Sequence, residues 1–377
     1  MKTRKLLVLC LVVVFTAVNF QVFGAEDAAK IDWNKAQQIY KKKQGGEQLS
    51  SEEQKYLQKA IEARQKGPGG GNQNAQGPGE NAGPDKVKNL APLTEMTAVY
   101  KGEDGGLYGN GKNEPTETQK KLAEEAGKKI KSLSIDGTPS ENGKIVLLTI
   151  GMSNTSQESD AFLRAERKST DKNPALVLVN GAQGGMTPER WVPGASTEEK
   201  VWQTVEERLR ASGVSLKQVQ AVWLKEAIAG PEAKGAFPAH AKYLLECLAE
   251  QVKYIKVKCP NLQIVYLSSR IYGGYANTRL NPEPYAFESA FSVRWLILGQ
   301  IGSYKEIISE GPMPVLLLGP YLWGNGTTPR KDGLVWGKED LGPDGTHPSQ
   351  TGTAKVAKLL SDFFRTEPSA KEWFLAK

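Results

Sequence analysis

Apolar residues along this chain gather into short continuous runs. Five of them, Lys144–Ile150, Ala175–Asn180, Val219–Leu224, Gln263–Ser268 and Met313–Leu318, are rich in Val, Leu and Ile and bounded by Gly, Pro, Asn or Ser. Their length and composition predict strands, and continuous rather than alternating hydrophobicity predicts that both faces are covered. Helical stretches lie between them at Thr197–Ala211, Pro238–Lys258 and Pro284–Ser309, with a last one from about Pro348 to Phe364. Strands alternating with helices predict an α/β fold, a five-stranded parallel sheet between two helical layers. Ligands of such sheets sit at the carboxyl ends of the strands.

The pattern is different before residue 87. Residues 1–24 open with Lys2, Arg4 and Lys5, continue with an apolar run from Leu6 to Val18, and end in small residues. This order is that of a secretory signal peptide, and the run is short for a membrane span. Residues 25–66 hold two stretches rich in Lys, Glu, Gln and Ala, Asp32–Lys43 and Ser50–Lys66, broken at Gly45-Gly46. Ser50 and Glu53 have capping-box spacing, so a small helical hairpin and a solvated charged spacer are both open. Residues 67–86 are dominated by Gly, Pro, Asn and Gln and read as a linker, leaving 87–377 as the main domain.

Composition narrows the partners. The 377 residues carry a formal charge of +7, of which Lys2, Arg4 and Lys5 supply three, so the chain without its leader carries +4. Basic and acidic residues are interspersed elsewhere, with no basic stripe carrying aromatic residues, which argues against nucleic acid. Cleavage of the leader leaves no segment for stable membrane insertion, and the expected location is periplasmic or extracellular. Removing Cys10 leaves Cys247 and Cys259, about 18 Å apart along a helix at 1.5 Å per residue. A disulfide needs Cα atoms within about 7 Å, so two separate thiols are expected. With two histidines far apart in sequence and no phosphate or dinucleotide fingerprint, neither a metal nor a cofactor is expected.

Three segments at predicted strand ends or near the last helix carry candidate chemistry. The first strand runs into Gly151-Met152-Ser153-Asn154, which puts a hydroxyl on the strand-to-loop turn; a simple helix cap would use the same residue. The second runs into Asn180-Gly181-Ala182-Gln183-Gly184-Gly185-Met186-Thr187, where glycines leave backbone N–H groups open to a ligand. Asp344-Gly345-Thr346-His347 precedes the last helix, and its spacing lets one loop supply a base and the carboxylate that orients it. His240 has no such neighbour in sequence and is expected on a helix face.

From about Leu90 to Phe374 the chain resembles the SGNH/GDSL hydrolases, most closely their carbohydrate-esterase branch. Gly151–Asn154 is similar to the nucleophile block, Asn180–Thr187 to the second block, and Asp344–His347 to the terminal Asp-x-x-His block. The resemblance implies a flavodoxin-like SGNH fold and a triad of Ser153, His347 and Asp344. It also implies an oxyanion hole using the N–H groups of Ser153 and Gly185. One block departs: where the family places Gly-x-Asn-Asp, this chain reads Trp223-Leu224-Lys225-Glu226-Ala227. Lys225 is therefore a candidate third oxyanion donor, unless it pairs with Glu226 or another carboxylate.

Arg270 and Tyr272 after the fourth strand, with Tyr285 and Glu288 beyond, are candidate substrate contacts suited to a hydroxyl-rich ligand. A structural Arg270–Glu288 ion pair is the alternative. Trp191, Tyr321 and Trp323 are candidates to extend the same wall. The implied activity is hydrolysis of an O-acyl, above all O-acetyl, ester on a carbohydrate. A lipid esterase or lysophospholipase on the same scaffold, and a non-catalytic carbohydrate-binding or surface protein that kept the fold, are the rivals.

Overall fold

The computed structural model describes residues 49–66, 90–301 and 313–376, together with Lys35, Ile39 and Lys42. The expected signal segment, the expected linker and most of the expected first hairpin helix lie outside the described residues. The chain divides into two compact units at Gly71/Asn72. In the first, helix α1 spans Ser51–Lys66. The Ser50 hydroxyl accepts from the Glu53 N–H at 3.2 Å, and Glu53 accepts in return from the Ser50 N–H at 3.0 Å, a reciprocal cap that satisfies two otherwise unpaired donors. Ile39, Leu49 and Leu57 form its small apolar cluster.

The second unit is built in the order α2 (Glu117–Lys129), β1 (Ile145–Gly151), α3 (Ser153–Glu166), β2 (Leu176–Asn180), α4 (Glu198–Ala211), β3 (Val219–Lys225), α5 (Ala239–Lys258), β4 (Ile264–Ser268), α6 (Tyr285–Ile301), β5 (Val315–Leu318), α7 (Gln350–Thr366) and α8 (Pro368–Phe374). The five strands form one parallel sheet in the order β2-β1-β3-β4-β5. Every residue of β1, β3 and β4 is buried, as their unbroken hydrophobicity predicted. The edge strands β2 and β5 are only partly covered.

The sheet order fixes the site. From β1 the chain steps one way to β2, and from β2 it returns past β1 to β3 and onward. Since parallel crossovers are right-handed, this reversal puts α3 on one face and the later crossover helices on the other. The packing agrees, with α3 against α7 and α5 against α6. Between β1 and β3, where the direction reverses, a crevice opens at the carboxyl ends of the strands. Gly151, the last residue of β1, lies in it with φ 157°. A Cβ there would come within 2.3 Å of the Lys225 carbonyl oxygen and 2.6 Å of the Thr155 side chain, so only glycine lets β1 turn this tightly into α3.

Cys247 and Cys259 are both buried and not joined in a disulfide, as the helix spacing predicted. No helix among the described residues is long and apolar enough to cross a membrane.

Candidate active site

Ser153 is the first residue of α3, delivered by the Gly151 turn to the crevice. Its Oγ lies 2.7 Å from Nε2 of His347, and Nδ1 of His347 lies 2.5 Å from Oδ2 of Asp344. An ionised carboxylate only accepts, so this contact places the imidazole proton on Nδ1 and leaves Nε2 as acceptor for the Ser153 hydroxyl. The other Asp344 oxygen accepts the N–H groups of Thr346 and His347, each at 3.0 Å. Partial burial works against the Asp344 charge, but the His347 ring and these two N–H groups outweigh it and hold the carboxyl below the usual carboxylate range. His347 and Asp344 stay 27% and 30% exposed, so the relay faces solvent at the mouth of the crevice.

The glycine turn after β2 stands beside Ser153: a Cβ on Gly184 would be 3.8 Å from that of Ser153. Asn180 anchors this turn to α3, its Nδ2 donating to Asp160 at 2.8 Å and to the Ser156 carbonyl at 3.0 Å while its Oδ1 accepts from the Ala182 N–H at 3.1 Å. Arg208 braces the turn from α4, donating to the carbonyls of Asn180 and Ala182 at 2.9 and 2.8 Å.

Lys225 is directed elsewhere than the oxyanion reading required. Its ammonium donates to both oxygens of Glu158 at 2.6 and 2.7 Å, and both side chains are fully buried. Burial drives the ammonium down to about 8 against the pull of Glu158. The Lys225 carbonyl accepts from the Thr155 hydroxyl at 2.8 Å, so residue 225 locks β3 to α3. Its neighbour Glu226 takes Gln251 Nε2 at 2.9 Å instead, and burial pushes its carboxyl well above the ordinary range.

The expected substrate wall is also revised. Glu288 is 1% exposed and takes the Tyr100 hydroxyl at 2.6 Å, Lys101 Nζ at 2.8 Å and His240 Nε2 at 2.6 Å. It neither faces a cleft nor pairs with Arg270, because α6 is packed against α5 and covered by the segment around Tyr100. His240 accordingly has a carboxylate partner that its sequence neighbours did not reveal. Arg270 is buried and donates to the Thr346 carbonyl at 3.2 Å. Tyr272 is buried edge-on against Tyr275, and Tyr285 is half-buried against the His240 ring. Trp191, Tyr321 and Trp323 belong to the core. Trp191 donates to the Met186 carbonyl at 3.0 Å and Trp323 to Glu283 at 2.7 Å.

Sequence reasoning missed Glu158. The available signal was a carboxylate on the helix face shared by Thr155, Ser159 and Phe162, all buried. Glu at a core-facing position demands a buried cation.

No protein-family model matches the chain, and no curated protein is similar to it. Among solved structures it is similar to a candidate SGNH hydrolase from Slackia heliotrinireducens, at 14% identity and TM-score 0.32 over 59% of this chain and 99% of that one. It is similar to a carbohydrate acetylesterase from Xanthomonas citri at 11% identity and TM-score 0.32, over 59% of this chain and 56% of that one. A protein from Bacillus subtilis is similar at 11% identity and TM-score 0.33, over 60% and 57%. The chain thus spans little more than half the length of the latter two. The sheet order is that of a doubly wound, flavodoxin-like α/β fold, with a serine just past the end of β1 and an Asp-x-x-His loop ahead of α7.

Proposed function

We propose that the chain is a serine ester hydrolase. The observation that carries this reading is the continuous Ser153–His347–Asp344 relay, 2.7 and 2.5 Å long, at the carboxyl edge of the sheet. Ser153 Oγ attacks the ester carbonyl carbon while His347 Nε2 takes its proton, and Asp344 steadies the imidazolium that forms. The carbonyl oxygen becomes an oxyanion, stabilised by the N–H groups of Ser153, in the first turn of α3, and Gly185. His347 returns the proton to the leaving alcohol as the C–O bond breaks. Water, deprotonated by the same nitrogen, then attacks the acyl-serine and releases the acid and free Ser153.

The substrate reading is an O-acetyl ester on a carbohydrate. It is supported by the similarity of the sequence blocks to carbohydrate esterases. The basic and then apolar residues 1–24 support export, which would bring the enzyme to extracellular or periplasmic glycans.

Acetate release from acetylated polysaccharides, set beside hydrolysis of p-nitrophenyl esters of increasing chain length, tests both parts. The proposal expects turnover of acetyl esters that falls as the acyl chain lengthens and is absent from Ser153→Ala. A rate that rises toward long-chain esters would transfer the chain to lipid substrates. No turnover of any ester would remove the hydrolase reading.

A further inference from the structure

The loop after β4, expected to contact substrate, instead grips the loop that carries Asp344 and His347. The Asn277 N–H donates to the Asp344 carbonyl at 3.0 Å. Asn277 Nδ2 donates to the Pro343 carbonyl, also at 3.0 Å. The hydroxyls of Thr278 and Thr346 are 2.9 Å apart, and Arg270 adds its 3.2 Å bond to the Thr346 carbonyl. The two backbones also touch. Gly345 has φ 62°, and a Cβ there would fall 1.8 Å from the Tyr275 carbonyl oxygen.

The gripping loop is itself held at both ends. Arg279 forms an ion pair with Glu232, and its carbonyl accepts the Gly230 N–H at 3.0 Å. At the other end, Glu283 accepts the Gly273 N–H at 2.8 Å. The held loop's other anchors lie close to it in sequence: the Gly342 N–H donates to the His347 carbonyl at 2.7 Å, the Ser349 N–H to the Asp340 carbonyl at 2.8 Å, and Lys355 of α7 pairs with Asp340. Asp344 and His347 are partly exposed, and Asp344's side-chain bonds go to residues of the same short loop. Those bonds preserve its internal shape but do not set its distance from Ser153.

We propose that Asn277 and Thr278 are positioning residues, which hold the Asp344–His347 loop where His347 Nε2 meets the Ser153 hydroxyl. The proposal rests on the triad reading above. Neither residue touches a reacting atom; their effect passes through the loop, where a misplacement of about 1 Å can cost on the order of a hundredfold in rate. Asn277 is exposed and Thr278 half-buried, so shortening their side chains leaves the core closed.

The test is the full-length double variant Asn277→Ala/Thr278→Val, with Thr278→Ser as the conservative control. Three readouts are followed: kcat and KM on p-nitrophenyl acetate, the melting temperature, and the downfield proton NMR signal of the His347 Nδ1–H. That signal is assigned by its loss in His347→Gln. The double variant should lose about tenfold or more in kcat with KM nearly unchanged and the melting temperature within a few degrees. Its His347 signal should shift upfield or broaden, while Thr278→Ser stays close to wild type. An unchanged signal in a folded double variant would overturn the proposal, whatever its activity. The signal needs no substrate, so if wild type proved to lack esterase activity, a signal displaced in the double variant would still uphold the clamp while the hydrolase reading fell.

Discussion

His347 and His240 each hold a carboxylate at nearly the same distance, Asp344 at 2.5 Å and Glu288 at 2.6 Å, yet they stand in opposite settings. The first pair is more than a quarter exposed, and the imidazole's second nitrogen faces a serine hydroxyl. The second pair is 4% and 1% exposed and lies among Tyr285, Phe237 and Tyr100. There Nε2 itself is spent on the carboxylate. Burial works against the charge on Glu288, but bonds from His240, Lys101 and Tyr100 hold it below the usual range. A histidine–carboxylate pair is therefore not a catalytic sign by itself. What makes one reactive is a free ring nitrogen, access from solvent and a hydroxyl within reach.

Exchanging the two histidines tests this contrast most severely. His347→Ala should remove esterase turnover by several orders of magnitude, as loss of a triad member does, with little change in unfolding midpoint. The buried pairs should respond in stability instead. Lys225→Met strands the Glu158 carboxylate in the core and should cost about 3–5 kcal/mol in denaturant unfolding, with kcat kept within roughly tenfold of wild type. Adding Glu158→Gln should recover part of that loss. A fall of roughly a hundredfold in kcat for a folded Lys225→Met protein would instead restore lysine as an oxyanion donor. His240→Ala should cost about 3 kcal/mol, somewhat less than the Lys225 change because Lys101 and Tyr100 still compensate Glu288, and should leave kcat near wild type. Loss of turnover in a folded His240→Ala protein would erase the distinction between the pairs.

The smallest effect concerns Glu283, a buried carboxyl that accepts from the Gly273 and Phe287 N–H groups and from Trp323. Burial pushes it up to about 6 from the ordinary 4.5. The folded protein therefore binds this proton more tightly than the unfolded chain. Its contribution to stability is full below pH 4.5 and is lost as pH rises through 6, a change on the order of 2 kcal/mol. Glu283→Gln removes that titration, so the stability of the variant relative to wild type should improve between pH 4.5 and 7. A pH-independent difference in unfolding free energy would place the Glu283 ionisation outside this window.

The sheet was legible because its central strands are buried on both faces, so their sequences are apolar without interruption. All five predicted runs agree with the observed strands to within two residues. Helix α2 escaped notice because it is highly charged and buries only Gln119, Ala123, Ala126 and Gly127. Short α8 was also missed. It follows α7 across Glu367, which caps it by accepting the Ser369 N–H. The observed part of the third predicted helix is Tyr285–Ile301; Pro284 lies in the turn before it, and residues 302–309 lie outside the described residues. In the site, Asp344 and His347 were readable because they lie three positions apart in one loop. Lys225 and Glu158 are 67 positions apart and His240 and Glu288 are 48 apart. Their pairing is created by helix and strand packing, which local spacing does not express.

The central claim is that Ser153 is an activated nucleophile, and covalent labelling tests it most directly. Wild-type protein, Ser153→Ala, His347→Ala and His240→Ala are each incubated with a fluorophosphonate, and the adduct is located by peptide mass spectrometry. The account predicts one phosphonyl group on Ser153 in wild type and in folded His240→Ala, a greatly slowed reaction in His347→Ala, and none in Ser153→Ala. An unlabelled Ser153 in folded wild-type protein, or equal labelling rates with and without His347, would contradict it.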